Sequence, residues 1–156
     1  MGLRRYFDTD DGSLPEIEFE FESPEKVVHA FEFLFSCGAV DVTAYGGCEL
    51  WNVREDRDIP FAGPEDARLL LTGDVHQFYI VLGGMSRGGL TIPRLGVWVY
   101  PAGLTIDYRM GAEWGDAQIE SLVLLLRELT SMGGTIAVPW WGEDGNRDFQ
   151  AAVCGA

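Results

Sequence analysis

The chain has 156 residues with 25 acids and 11 bases, so its formal net charge is −14 at pH 7. Apolar residues make up 47% of it, which is typical of a folded globular protein and argues against an intrinsically disordered one. The acid excess leaves no basic patch, which argues against a surface for DNA or RNA and against docking onto an anionic membrane.

The length is that of one domain, and we predict a single acidic α+β domain over residues 1–156. The N-terminus lacks the apolar stretch of a signal peptide, and the longest aliphatic run, Leu122 to Leu126, is too short to span a bilayer. Cys37, Cys48 and Cys154 are too widely spaced for a disulfide framework or a metal knuckle. We therefore expect reduced cysteines and a cytoplasmic location.

The first predicted elements are a strand and a helix. Residues 16–22 alternate between glutamate and apolar side chains, which indicates a half-buried strand. Ser23 and Pro24 are typical of the N-cap and first position of a helix, and Gly38 of its end.

The next stretch predicts a hairpin. Residues 40–53 alternate on both sides of Gly46 and Gly47, a pattern typical of two strands joined by a two-residue turn. Residues 54–63 are predicted to form a charged loop. Residues 63–73 fit either a short helix or a strand.

The remaining elements complete the order of strands and helices. They are a strand at 76–82, a glycine-rich loop at 83–89, a hairpin at 97–108, a helix at 116–132, a strand at 135–138 and a short helix at 146–153. The order predicts an α+β fold, with an antiparallel or mixed sheet of about six to seven strands and two main helices packed on one face.

Motifs for catalysis and cofactor binding are missing from the sequence. Gly83 and Gly88 have the spacing of a phosphate-binding loop, but Gly89 stands where the lysine is required. His29 and His76 are far in sequence from each other and from the cysteines, which argues against a zinc site or a Cys–His nucleophile. We predict no catalytic residue, no metal and no cofactor, and therefore a protein that is not an enzyme.

Acid is concentrated between Asp8 and Glu25, where eight carboxylates occur without a base. The alternation of the predicted strand places Glu16, Glu18, Glu20 and Glu22 on one of its faces. Such a row repels itself. It is typical either of edge protection and solubility or of a surface that steers a basic partner.

Asp8, Asp10 and Asp11 precede this strand in a segment that resembles a calcium loop. Ser13 and Phe19 stand where an EF-hand needs glycine and glutamate, so the EF-hand motif fails. A solvated turn is the default interpretation, and an irregular calcium site built from the three aspartates is the alternative.

Tryptophans next to acids form a second group of candidates. Adjacent residues of an extended segment point to opposite sides, so Trp140 and Trp141 cannot both enter one core. Exposed tryptophans beside Glu143 and Asp144, and Trp114 beside Glu113, are typical of interface anchors. Loop tryptophans that cap the ends of the sheet are the alternative.

The opening Tyr6-Phe7-Asp8-Thr9-Asp10-Asp11-Gly12-Ser13-Leu14-Pro15-Glu16-Ile17, followed by a strand and an amphipathic helix, resembles the start of small bacterial immunity proteins of polymorphic or contact-dependent toxin systems. The resemblance covers the first quarter of the chain together with its size and charge. It implies a cytoplasmic antidote that binds one cognate toxin domain and blocks its active site. Many toxin nuclease domains are basic, so an acidic surface that mimics phosphate would fit them.

The charge and aromatic patterns, rather than the resemblance, supply the candidate partner-binding residues. They are Asp8, Asp10, Asp11, Glu16, Glu18, Glu20, Glu22, Trp114, Trp140, Trp141, Glu143 and Asp144. A small-ligand or calcium-binding module and an enzyme whose site is assembled only by the fold are the alternative functions. The sequence leaves the oligomeric state open.

Overall fold

The computed structural model describes residues 2–155, which contain ten strands. In chain order these are β1 (Glu16–Glu20), β2 (Val40–Asp41), β3 (Glu49–Asn52), β4 (Arg57–Pro60), β5 (Phe78–Gly83), β6 (Ser86–Arg87), β7 (Leu90–Thr91), β8 (Leu95–Tyr100), β9 (Gly103–Tyr108) and β10 (Thr135–Ala137). Six of them form an antiparallel sheet in the order β10-β1-β9-β8-β5-β2, while β3 pairs with β4 and β6 with β7.

Three helices follow β1, the β8–β9 hairpin and β10. They are α1 (Pro24–Ser36), α2 (Asp116–Ser131) and α3 (Gly142–Cys154), with 3₁₀ turns at Arg4–Tyr6, Pro64–Leu70 and Pro139–Trp141. The predicted start of α1 is confirmed, because the Ser23 hydroxyl accepts a hydrogen bond of 3.3 Å from the Lys26 backbone N–H. Its end is confirmed as well, since Gly38 has a φ of 93°, which favours glycine.

One face of the sheet is buried under the helices. Phe31 of α1 lies 5.6 Å from Phe78 of β5, measured between ring centroids. Phe149 of α3 lies 6.2 Å from Phe7, which stacks on Tyr108 of β9 at 4.5 Å. The apolar stripe of α2 belongs to the same core. The predicted α+β class and the placement of helices on one face are therefore confirmed, with α3 as a third helix.

The predicted hairpin at residues 40–53 is wrong. Strand β2 pairs with β5, so that Val40 lies opposite Gly83. Strand β3 pairs with β4, and β4 lies inside the region predicted as a charged loop. The Asp41 carboxylate accepts hydrogen bonds from the backbone N–H groups of Thr43 (2.9 Å) and Cys48 (2.7 Å). These bonds hold residues 42–47 in a wide turn that separates the two strands.

Candidate functional site

The other face of the sheet carries a surface that we call the open face. Its residues are Glu16, Glu18, Glu20, Tyr79, Trp98, Tyr100, Gly103, Thr105 and Asp107. Strand alternation directs these side chains away from the buried residues between them, such as Ile17 and Phe19. The indole of Trp98 lies near the middle of this face and is 39% exposed.

Strand register orders the open face into cross-strand rows. In the central row Tyr79 lies beside Trp98, Trp98 beside Thr105, and Thr105 beside Glu18. The central row therefore changes from aromatic on β5 and β8 to acidic on β1. Since neighbouring strands are about 4.8 Å apart, Trp98 and Glu18 are separated by about 10 Å.

Glu16, Glu18 and Glu20 of β1 form what we call the acidic row. Among residues 2–155, no lysine, arginine or histidine nitrogen lies within 4.0 Å of their carboxylates. Their mutual repulsion is therefore relieved only by water and salt. Glu22 was predicted to extend the row, and that prediction is wrong, because β1 ends at Glu20. The Glu22 carboxylate instead pairs at 3.1 Å with Lys26 of α1.

A buried carboxylate lies at one end of the open face. Asp107 is 6% exposed, and its Oδ2 accepts a hydrogen bond of 2.9 Å from the Tyr79 hydroxyl. Burial raises the pKa of Asp107 and the facing Glu16 carboxylate adds to the rise, while hydrogen bonds from Tyr79 and Gly96 oppose it. A Cβ at Gly96 would overlap both the Tyr79 hydroxyl and the Asp107 carboxylate.

Aromatic rings form the other half of the open face. The rings of Tyr79 and Trp98 lie 5.0 Å apart between centroids, tilted by 47°. The Tyr100 hydroxyl shares a hydrogen bond of 3.2 Å with the Thr105 hydroxyl. Sequence reasoning missed these residues. The available signal was the run Trp98-Val99-Tyr100, which is large and apolar on both faces of a strand that has one face to expose.

A groove runs between the acidic row and Tyr100. Its volume is about 290 Å³, and Glu18, Phe19, Glu20 and Tyr100 line it together with Ala102 and, on the other side of β1, Thr135 and Ala137 of β10. Gly103 lies between Glu20 and Tyr100 in one cross-strand row and contributes no side chain. We call this cavity the Gly103 groove.

The other predicted acids of the N-terminal stretch lie outside the open face, in the segment before β1. Asp8 pairs with Arg4 at 3.2 Å, and Asp10 with Arg109 at 3.6 Å. Hydrogen bonds from the Ser13 hydroxyl and backbone N–H lower the pKa of the Asp11 carboxyl. No group of three or more His, Cys, Asp or Glu within residues 2–155 is placed to hold a metal ion.

The tryptophans predicted as anchors have different environments. Trp114 is only 1% exposed, so its assignment to an interface is wrong. The loop before α2 folds it onto Phe7 and Tyr108, and its indole N–H donates a 2.7 Å hydrogen bond to the Arg109 carbonyl. This ring caps the core, as the alternative interpretation predicts.

Trp140 and Trp141 have different environments, as predicted, because the Trp140 ring is exposed and the Trp141 ring is half-buried against the core. Trp140 is 47% exposed, whereas Trp141 packs on Tyr6 and donates a 3.0 Å hydrogen bond to the Tyr108 hydroxyl. Glu143 and Asp144 are exposed in the first turn of α3, where the helix dipole favours acids.

The side chains considered for nucleophilic or metal chemistry are dispersed. His29 and His76 are both exposed, on α1 and in the segment before β5. Cys37 and Cys48 are buried, and burial raises the pKa of Cys48 to about 12. The Cys48 thiol is therefore protonated at neutral pH, which does not suit a nucleophile.

No helix described between residues 2 and 155 combines the length and apolar character of a membrane span. Comparison of the chain with protein-family models, curated proteins and solved structures gave no significant match. A proposal about function must therefore be argued from the site itself.

Proposed function

We propose that this chain is a cytoplasmic immunity protein that binds a cognate bacterial toxin domain and neutralises it by covering the toxin's active site. The observation that carries the proposal is the open face, where an unpaired acidic row lies beside the exposed ring of Trp98 and the half-buried rings of Tyr79 and Tyr100. The three free cysteines support a reducing compartment.

The acidic row is suited to a basic partner. Same-face residues of a strand are about 7 Å apart, so Glu16, Glu18 and Glu20 present a regular line of negative charge. A toxin that acts on nucleic acid binds phosphates with lysines and arginines, and those cations would meet this line. Long-range attraction between the two surfaces would speed association and make it depend on salt.

The aromatic half of the open face supports a protein partner rather than a free cation. Protein interfaces have an apolar centre enriched in tryptophan and tyrosine and surrounded by a polar rim. Trp98 and Tyr79 have the position of such a centre, and the acidic row that of the rim. Coverage of both regions at once requires a surface of protein size.

The proposal predicts that a neighbouring gene encodes a toxin domain, and that domain is the partner in the test. The variant Glu18→Lys/Glu20→Lys reverses the acidic row, and we expect it to lose growth protection and to associate about tenfold more slowly at low salt. The matched control Glu113→Lys/Glu120→Lys reverses two exposed acids outside the open face, neither of which has an ion pair within residues 2–155. We expect the control to protect as wild type does.

Two outcomes would overturn the proposal. If the wild-type chain neither binds the toxin domain nor protects cells from it, the immunity function is wrong. If the row reversal leaves the association rate and its salt dependence unchanged, the acidic row is not the interface.

A further inference from the structure

We propose that the partner places an arginine side chain in the Gly103 groove, between the carboxylates of Glu18 and Glu20 and the ring of Tyr100. This inference rests on the proposed function, because it names the group that the partner presents to the open face.

Strand register creates the space. Glu20 of β1 lies opposite Gly103 of β9, and Gly103 lies opposite Tyr100 of β8. The backbones of β1 and β8 are therefore two strand spacings apart, about 10 Å, and Gly103 contributes no side chain between them. A Cβ at position 103 would overlap the carbonyl oxygen of Phe19, so this position of β9, beside the groove, accepts only glycine.

The acidic wall and the aromatic wall of the groove offer different contacts, and an arginine side chain can make both. Glu18 and Glu20 supply carboxylate oxygens, which accept paired hydrogen bonds from a guanidinium. Tyr100 supplies a ring against which the flat guanidinium can stack, and its hydrogen bond to Thr105 restrains that ring. A lysine ammonium would satisfy the charge but neither the paired geometry nor the stacking.

Charge complementarity selects a foreign partner over a second copy of this chain. The chain has a net charge of −14, and the acidic row has no cation within 4.0 Å among residues 2–155. Two copies of a chain of this net charge repel each other as they approach. An arginine-bearing surface would instead neutralise carboxylates that this chain leaves unpaired.

The experiment uses two peptide probes, six arginines and six lysines, titrated into the full chain at low salt while backbone amide NMR shifts are followed. We expect the arginine peptide to bind about threefold more tightly than the lysine peptide, as stacking on an exposed ring implies. The largest shifts should fall on Gly103 and its neighbours in β1 and β8. Glu18→Gln/Glu20→Gln should weaken both peptides, and Glu113→Gln/Glu120→Gln should weaken neither.

Tyr100→Leu separates stacking from charge. This variant should bind the lysine peptide as wild type does and should lose the preference for arginine, with dispersed amide signals showing that it is folded. If it does not fold, the wild-type preference and the glutamine variants still decide the question. Equal affinities of the wild-type chain for the two peptides, or shifts that centre elsewhere, would overturn the inference.

The two proposals fail in different ways. If the chain shows no preference for arginine but neutralises the toxin through the acidic row, the arginine proposal is wrong and the proposed function is kept. Arginine preference in the groove without any binding of the neighbouring toxin domain would refute the immunity function and leave the groove.

Discussion

The two faces of the central sheet are built from alternate residues of the same strands, yet they have opposite properties. On the covered face Ile17 and Phe19 are at most 1% exposed beneath the helices. On the open face Glu18, which lies between them in sequence, contacts solvent, and Trp98 is 39% exposed. A solvated sheet face is ordinarily polar throughout, and this one is polar only on the side of β1. The aromatic rings of Tyr79 and Trp98 lie on the face opposite the helices, which is why we assign them to binding.

The acids of the chain show a similar contrast. Asp8 and Asp10 have arginine partners, and Glu22 has a lysine partner. The acidic row has none among residues 2–155, although the chain carries ten arginines. Surface charge that serves solubility alone tends to be interspersed with the opposite sign. The acidic row differs from such a surface because three acids follow one another on one strand face without a cation between them.

The largest expected effect contrasts neighbouring residues of β1. Phe19→Ala should lower the free energy of unfolding by about 3–5 kcal/mol, because it removes a fully buried ring from the core. Glu18→Ala, one residue away on the open face, should change it by less than about 0.5 kcal/mol. Urea denaturation measures both. Equal losses would show that the two faces contribute alike to stability.

The second prediction concerns the complex rather than the fold. Trp98→Ala should make the complex with the toxin domain dissociate about thirtyfold faster, as expected for a central anchor worth about 2 kcal/mol. Its matched control is Trp51→Ala, since Trp51 is 37% exposed on β3, outside the open face. Dissociation rates from surface plasmon resonance compare them. Similar rates for the two variants would remove Trp98 from the interface.

The smallest effect is a pH dependence at the buried end of the open face. Because burial and Glu16 raise the pKa of Asp107, this group binds its proton more tightly in the folded chain than in the unfolded one. Its contribution to stability is therefore fully present below the ordinary aspartate range and is lost as pH rises through the raised pKa. Asp107→Asn keeps an oxygen acceptor for Tyr79 and should remove that loss.

The measurement is urea denaturation of wild type and Asp107→Asn across a pH series. Wild type should lose stability relative to the variant as pH rises, and Glu113→Gln, which alters an exposed acid, should keep the wild-type slope. Parallel pH profiles for wild type and Asp107→Asn would contradict the role assigned to burial.

The spacing of apolar and polar residues along the chain is sufficient to predict several elements of this protein. Alternation at residues 16–22 predicts a strand with an acidic face and an apolar face, of which residues 16–20 form β1, and the apolar stripe after Asp116 predicts α2. The cap of α1 at Ser23 follows from one side chain and the N–H groups next to it. Each of these features depends on residues within a few positions of one another, which is why a single sequence reveals it.

Contacts between distant residues required the tertiary structure. Strand β2 pairs with β5, about 40 residues away, because Asp41 turns the chain away from its neighbour. Trp114 is buried because its loop folds it onto Phe7 and Tyr108. Trp98 is exposed because no helix within residues 2–155 packs on its face of the sheet. Alternation decides which residues share a face, whereas the helices that pack across the sheet decide which face is left open, and that choice created the proposed site.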